Sequence, residues 1–381
     1  MSGLLEIVGQ DEALAQLQRT LQGGRRPQSF LFLGPEGVGR RTTAQVLARL
    51  LLCEHPQRQA NGKSVRDLPG DFSLLLPCDQ CPSCRTAEAG TNPDLLIVHR
   101  QLARFHDDSS VRSRVMQDLG IDVIRQFLLD PAYRTSSSGR GRVFIVREAE
   151  LMSVPAQNAL LKTLEEPPTG VSIILLAPSA EELLPTTRSR CQAVQFRPLD
   201  REFVAGKLVA QGIPSGEARF WAELTEGSLG RAMRLAGEGQ YAFKCELVEA
   251  LAGLSSGGEG EAAEMLHKAT ESQAAKLTKA DDQLAATLAS RQAGQAILTL
   301  VVSLYRDALS LACGHNRPLV HADQAEAAGK IAQRFGPDAL TDILAQLARY
   351  EELLWRNVNA KLLWDNVAIT CATAAAFEVD A

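Results

Sequence analysis

The apolar stretch Ser29-Phe30-Leu31-Phe32-Leu33 runs directly into Gly34-Pro35-Glu36-Gly37-Val38-Gly39-Arg40-Arg41-Thr42-Thr43, and from there into an Ala, Val and Leu run that ends at Leu52. This order constrains the chain more than any other feature, because a glycine loop that opens a helix directly after a strand is the frame of a phosphate-binding loop. The pattern Gly-x4-Gly-Lys-Ser/Thr aligns in one register, with Gly34 first and Gly39 second, which puts Arg40 at the lysine and Arg41 at the hydroxyl. A lysine ammonium is a compact point charge, whereas Arg40 carries its charge on a broad planar fork. Arg41 offers a metal no oxygen, and Thr42 stands one position late, about 100° further round the helix. The loop therefore reads as degenerate: Gly34, Gly37 and Gly39 keep the turn, while Arg40, Arg41 and Thr42 do not carry the chemistry. The acid position agrees, since the apolar run Val143-Phe144-Ile145-Val146 ends in Arg147-Glu148 where a nucleotide-hydrolysing member of this architecture would carry Asp-Glu.

Further strands are expected at 94–98, 142–147 and 171–177, alternating with helices over 121–129 and over 156–164, the second stopped by Pro167-Pro168. Together with the first strand they predict an α/β core with a mostly parallel sheet covered on both sides. Residues 4–22 read as a short turn followed by a helix. The segment 54–76 is polar and punctuated by Pro and Gly, and the charged stretch from Arg100 to about Asp118 reads as a mobile loop. After Pro198 the strand signals end. Short helical segments joined at Gly212, Gly227 and Gly230 predict a small helical lid, and the Ala- and Leu-rich remainder, with breaks at 253–260, 314–318 and Gly336-Pro337, predicts an all-helical third domain. The expected division is 1–199 for the core, 200–243 for the lid and 244–381 for the last domain.

A chain of 381 residues with 45% apolar content can bury several cores. The longest apolar stretch, Ala296 to Leu304, is about nine residues, far short of a membrane span. Met1 to Glu6 carries neither a basic region nor a signal-like apolar core, so the expectation is a cytoplasmic protein without a membrane partner. A net charge of −5 argues against a whole-molecule electrostatic clamp for nucleic acid.

Cys78, Cys81 and Cys84 place three thiols within seven residues, and 24 residues separate Cys53 from the first of them. Four thiolates close a tetrahedral zinc site; free structural cysteines are the plainer reading, and an iron–sulfur cluster can use the same triplet. The gap holds an insertion from about His55 to Pro77, which leaves His55 and His99 as competitors of Cys53 for the fourth position; loop length alone does not forbid the cysteine, because closure entropy grows slowly. Cys191, Cys245, Cys313 and Cys371 are scattered and are expected to fill buried or partly buried positions. His106, His267, His315 and His321 have no ligand spacing.

Several motifs taken together resemble the delta-prime subunits of bacterial DNA polymerase III clamp loaders, within the AAA+ superfamily. They are Val8-Gly9-Gln10, Gly34 to Thr42, Ile121 to Arg125, and, most specifically, Asn158-Ala159-Leu160-Leu161-Lys162-Thr163-Leu164-Glu165-Glu166-Pro167-Pro168 with Leu183 to Cys191; Gly227 to Ala232 matches the lid, and Asn357 to Asn366 is a looser match to the last domain. The resemblance implies an AAA+ core, a lid and a C-terminal helical collar domain in a non-catalytic subunit with no ATP in its own site. It assigns Cys53, Cys78, Cys81 and Cys84 to a Zn(2+) module, although the family's first two cysteines normally lie much closer together. It also implies that Arg190, within Ser189-Arg190-Cys191, reaches across a subunit boundary to ATP held by a neighbour, where a guanidinium offers several donors to phosphate oxygens. The implied partners are gamma/tau-type ATPase and delta-type subunits, with the sliding clamp and primer–template DNA met through the complex at the replication fork. Arg231 falls where motor subunits sense nucleotide and reads as a vestige or a salt-bridge partner. The residues leave other readings open: a divergent motor subunit in which Arg40 and Glu148 compensate, a zinc-bearing DNA-binding module, and, for Arg188 and Arg190, mere solvation of a strand edge.

Overall fold

The computed structural model describes residues 7–22, 28–62, 67–70, 72–112, 118–255, 257–280, 285–356 and 358–373. Parts of several expected segments, namely 63–66, 71, 113–117, 256, 281–284 and Asn357, lie outside the described residues. The chain divides into two compact units: one runs to Asp200 and takes in Gly227–Arg231, and the other comprises Arg201–Glu226 and the residues from Ala232 onward.

In the first unit, α1 (Asp11–Gln22) precedes β1 (Ser29–Leu33), and the glycine loop leads into α2 (Arg40–Leu52). An antiparallel hairpin of β2 (Gln57–Ala60) and β3 (Ser73–Leu76) follows, then α3 (Pro82–Glu88) and β4 (Leu95–Val98). After α4 (Ser109–Arg112), a helical stretch runs from α5 (Ile121–Ile124) through a π turn at Arg125–Leu129 into α6 (Asp130–Ala132). The unit closes with β5 (Arg142–Val146), α7 (Val154–Glu165), β6 (Val171–Ala177), α8 (Pro185–Arg188) and β7 (Gln192–Gln195).

The five-stranded sheet has the order β4-β5-β6-β1-β7, with every pairing parallel. Successive side chains on a strand point to opposite faces. Leu31, Phe144, Val146, Ile173 and Leu175 accordingly pack on one face with Val123, Leu128, Ala156 and Leu160, while Phe30, Phe32, Val143, Ile145 and Ile174 pack on the other with Leu17 of α1 and Leu47 and Leu51 of α2. With both faces covered, β1, β5 and β6 are buried along their whole length, which is why their sequences are continuous rather than alternating apolar runs.

Three features depart from the sequence expectation. A fifth strand, β7, was not anticipated, because its sequence Gln-Ala-Val-Gln sits at the sheet edge and buries only Val194. The polar insertion forms the β2–β3 hairpin, whose Leu74 and Leu76 join Leu68 in packing against Ile7, Leu14, Val46 and Leu50. The stretch expected as a mobile loop instead forms a 3-10 turn at Arg100–Phe105 followed by α4, and buries Ala103 and Val111 in the core. Isolated apolar residues among charges carry no readable period.

The second unit is helical: α9 (Arg201–Val209), α10 (Ser215–Leu224), α11 (Leu229–Gly237, whose first turn belongs to the first unit), α12 (Tyr241–Ala252), α13 (Glu259–Ala280), α14 (Ala286–Ala312), α15 (Ala325–Leu354) and α16 (Ala360–Ala372). Gly336 (φ 68°, ψ 174°) with Pro337 breaks α15 where the sequence expectation placed a break. Among the described residues α14 alone is long and apolar enough to cross a membrane by length and composition; half of its apolar window is buried within the unit. A polar network lies inside: Lys244, fully buried, pairs with Asp323 and stands 4.4 Å from the Phe220 ring centroid, and His321 shares a 2.9 Å hydrogen bond with Ser303 while its backbone N–H donates to Asp307. Of the scattered cysteines, Cys371 is buried, Cys191 and Cys245 are half-buried, and Cys313, contrary to expectation, is exposed.

Candidate functional site

The glycine loop sits at the C-terminal edge of the parallel strands, where α/β sheets bind ligands. Its glycines meet the rest of the fold closely. Gly34 (φ 137°) donates to the Pro178 carbonyl after β6, and a Cβ built on it would lie 2.2 Å from the Phe196 carbonyl oxygen. Gly37 (φ 78°) accepts from Gly230 N–H at 3.0 Å, and a Cβ there would lie 2.3 Å from Ser228 Oγ. Ser228 Oγ donates to the Glu36 carbonyl at 2.6 Å, and Gln10 Nε2 donates to the Val38 and Arg197 carbonyls. The loop is thus clamped by Gln10 from one side and by Ser228–Gly230 from the other.

Arginines and glutamates occupy the charged positions around the loop. Arg40 is half-buried; desolvation lowers its pKa, and the charges that face it are those of Glu150, Glu36 and Glu182. Glu150 is in turn pushed above the ordinary carboxylate range by burial. Burial and the charge of Arg147 lower Arg41, so two guanidinium groups influence each other where a metal and its carboxylate would be needed. Thr42 is exposed, and the buried Thr43 hydroxyl is committed to the Gly39 carbonyl at 2.9 Å. Glu148 adopts a left-handed backbone (φ 55°), and its carboxylate pairs with Arg100 Nε at 3.5 Å. His99 belongs to this neighbourhood: burial lowers its pKa, as do the charges of Arg147 and Arg41.

Arg190 lies between α8 and the edge strand β7. Its Nε and Nη2 donate to Glu165 Oε2 at the end of α7, at 3.1 and 3.0 Å, and its Nη1 donates to the Thr186 carbonyl at 3.0 Å. Neither Glu165 nor Thr186 was singled out from the sequence. Both stand in quoted motifs, but nothing local says that two segments 25 residues apart converge on one guanidinium.

The four cysteines come together. Cys53, Cys78, Cys81 and Cys84 have sulfur atoms all within 4.8 Å of one another, near the roughly 3.8 Å edge of a tetrahedron with metal–sulfur bonds of about 2.3 Å. The long gap is closed by the hairpin: pairing of Gln57 with Leu76 brings the ends of the insertion together, and Cys78 N–H donates to Cys53 Sγ at 3.3 Å. Two more backbone donors, Cys81 N–H to Cys78 Sγ and Cys84 N–H to Cys81 Sγ, complete a thiolate-stabilising turn. Arg49 of α2 pairs with Asp79 at 3.3 Å and ties that turn to the core. Burial pushes the Cys53 and Cys84 thiols up, whereas backbone donors at Gln80 and Cys81 bring Cys78 down to about 6 against its own desolvation. Packed thiolates resisted by burial fit a bound cation that cancels their charge, so the cluster is positioned to chelate a metal ion.

A parallel sheet of this order, a glycine loop at its C-terminal edge and a helical second unit define an AAA+ core with a helical tail. The DNA polymerase III, delta subunit family model matches residues 9–200, and the model of that family's C-terminal part matches residues 267–371. The chain belongs to this family: it is a delta/delta-prime-type subunit of the bacterial DNA polymerase III clamp loader. It is 23% identical over 360 residues to DNA polymerase III subunit delta' of Bacillus subtilis, covering 94% of this chain and 95% of that one. It is 30% identical over 232 residues to the Pseudomonas aeruginosa delta' subunit, covering 60% and 62%. To DNA polymerase III subunit gamma/tau of Mycobacterium tuberculosis it is 34% identical over 192 residues, half of this chain but 28% of that protein. The alignments thus span less than two thirds of the latter two relatives.

Proposed function

We propose that this subunit has no ATPase chemistry of its own and completes a neighbour's ATP site with Arg190. The observation that carries the first half is the presence of Arg41 and Arg147 at the hydroxyl and acid positions, where the charge of one lowers the pKa of the other: a divalent cation brought there would meet two positive groups instead of an acid and a hydroxyl. Arg40 faces acidic residues and lacks the point-charge geometry of the lysine. The neighbour is a gamma/tau-type ATPase subunit, a reading supported by the matched relatives of that name. A delta-type subunit joins the same assembly, which places the sliding clamp on primer–template DNA. In this reading residues 1–199 form the core, 200–243 the lid and 244–381 the collar, and the protein works in the cytoplasm at the replication fork. The four-cysteine cluster holds Zn(2+), which when bound ties together a segment with little core of its own.

Two measurements test this. Calorimetry with magnesium-ATP on the isolated chain should detect no tight binding and no turnover; a dissociation constant near about 1 μM together with hydrolysis would instead establish a divergent motor subunit. In a reconstituted loader, Arg190→Ala should leave assembly intact and slow hydrolysis at the neighbouring site by roughly 10²-fold, with a smaller fall in the total rate because other sites keep their own arginines. Arg188→Ala is the adjacent control. An unchanged rate in intact complex would return Arg190 to a structural role.

A further inference from the structure

The contacts of Arg190 leave a specific part of it unused. A guanidinium carries five N–H groups. Nε and Nη2 each give one to Glu165 Oε2, and Nη1 gives one to the Thr186 carbonyl. What remains is one N–H on Nη1 and one on Nη2, enough to meet two oxygens of a phosphate. Glu165 therefore braces the Nε side of the group, and an anion can be taken by the remaining N–H groups without displacing it.

The frame that sets this geometry is rigid. Gln157 of α7 is buried; its Oε1 accepts from Leu184 N–H at 2.9 Å and from Thr187 Oγ at 3.2 Å, and its Nε2 donates to the Met152 carbonyl. This amide locks α7 to α8 and so holds Glu165 at a set distance from the backbone of Arg190. Glu165 is the last residue of α7, where a carboxylate faces the negative end of the helix dipole. The guanidinium offsets that repulsion, so the pair is favoured beyond an ordinary exposed ion pair.

We propose that Glu165 is the positioning residue of Arg190, holding the Nε side of the guanidinium so that its remaining N–H groups stay presented to phosphate on a neighbouring subunit. This rests on Arg190 acting in trans and adds a carboxylate to that site. A latch, in which Glu165 competes with the phosphate for Arg190, requires the two to use the same N–H groups, and Glu165 leaves two of them unused.

The test uses the reconstituted loader with wild-type chain, Glu165→Ala, Glu165→Gln, Arg190→Ala and the Glu165→Ala/Arg190→Ala double variant, reading kcat and KM for ATP hydrolysis with clamp and primed DNA. Loss of the brace should lower kcat at the neighbouring site about 3- to 10-fold, with a smaller fall in the total rate and KM unchanged, less than loss of the arginine itself, because the group is disordered rather than absent. Glu165→Gln keeps an oxygen that can accept both N–H groups and should recover most of the rate. In the Arg190→Ala background, Glu165→Ala should have no further effect. A rate equal to or above wild type in Glu165→Ala overturns the proposal, and so does an equal loss in both backgrounds, which would place the carboxylate in folding or assembly. If Arg190→Ala itself changes nothing, the trans-acting reading falls and the positioning role falls with it; if only Glu165→Ala is silent, the positioning role alone is wrong.

Discussion

The glycines of the phosphate loop have a reason to be present that involves no nucleotide, and Gly34→Ala tests it. At φ 137° an L-residue is strained, and the added Cβ would stand 2.2 Å from the Phe196 carbonyl oxygen, a backbone atom that cannot swing away. That carbonyl follows β7, and Phe196 N–H is bonded to Leu33 O, so relief would require unzipping the edge of the sheet. Backbone strain costs about 1–3 kcal/mol and the overlap roughly as much again, for a total of about 2–6 kcal/mol. Gly39 is the internal comparison: its φ is 107°, but a Cβ there would meet nothing closer than Ile7 Cγ2 at 4.0 Å, so only the strain remains. With roughly 2–4 °C lost per kcal/mol in a unit of this size, Gly34→Ala should melt about 4–24 °C lower than wild type and Gly39→Ala about half as much lower. Thermal denaturation followed by circular dichroism without nucleotide reads both. A Gly34→Ala protein that melts with wild type, or a Gly39→Ala protein that is the weaker of the two, would show that the close approach of loop and sheet does not constrain the loop.

Two further outcomes follow from other parts of the molecule. Cys53→Ser should reduce bound metal from about one ion per chain to a small fraction, measured by elemental analysis of protein purified without chelator; full occupancy in this variant would move the fourth ligand elsewhere. His321 is held down to about 3, first by burial and then by the charge of Lys244, whereas an unfolded histidine titrates near about 6.5. Between those values the unfolded chain binds the extra proton, so stability is full above about pH 6.5 and falls with acidification by up to roughly 1.4 kcal/mol per pH unit. Urea denaturation at pH 7 and pH 5 should show this loss in wild type and a smaller one in His321→Gln; equal losses would exclude His321 as its source.

Where the determinants are local, the sequence alone decided the outcome. The continuous apolar runs of β1, β5 and β6 could only be strands covered on both faces, Pro167-Pro168 ended α7, and the substitution of the hydrolytic positions by Arg40, Arg41 and Arg147 was visible as text. The Cys78, Cys81 and Cys84 spacing pointed to a metal cluster for the same reason, since three of its four thiols come from one short segment. What only the tertiary structure decided depends on atoms far apart in the chain. β7 is a strand because β1 offers it an edge, not because Gln-Ala-Val-Gln prefers to be one. Cys53 joins the cluster because a hairpin with its own buried leucines closes the gap, and that burial is contributed by α1 and α2. Glu36 and Gly37 of the loop are pinned by Ser228 and Gly230, almost two hundred residues later, and Arg190 takes its direction from Glu165 across α7 and α8. Backbone propensity and periodicity report only the few residues on either side of a position. Convergence of side chains from separate elements is set by which faces must leave water together, and that is a property of the packed chain.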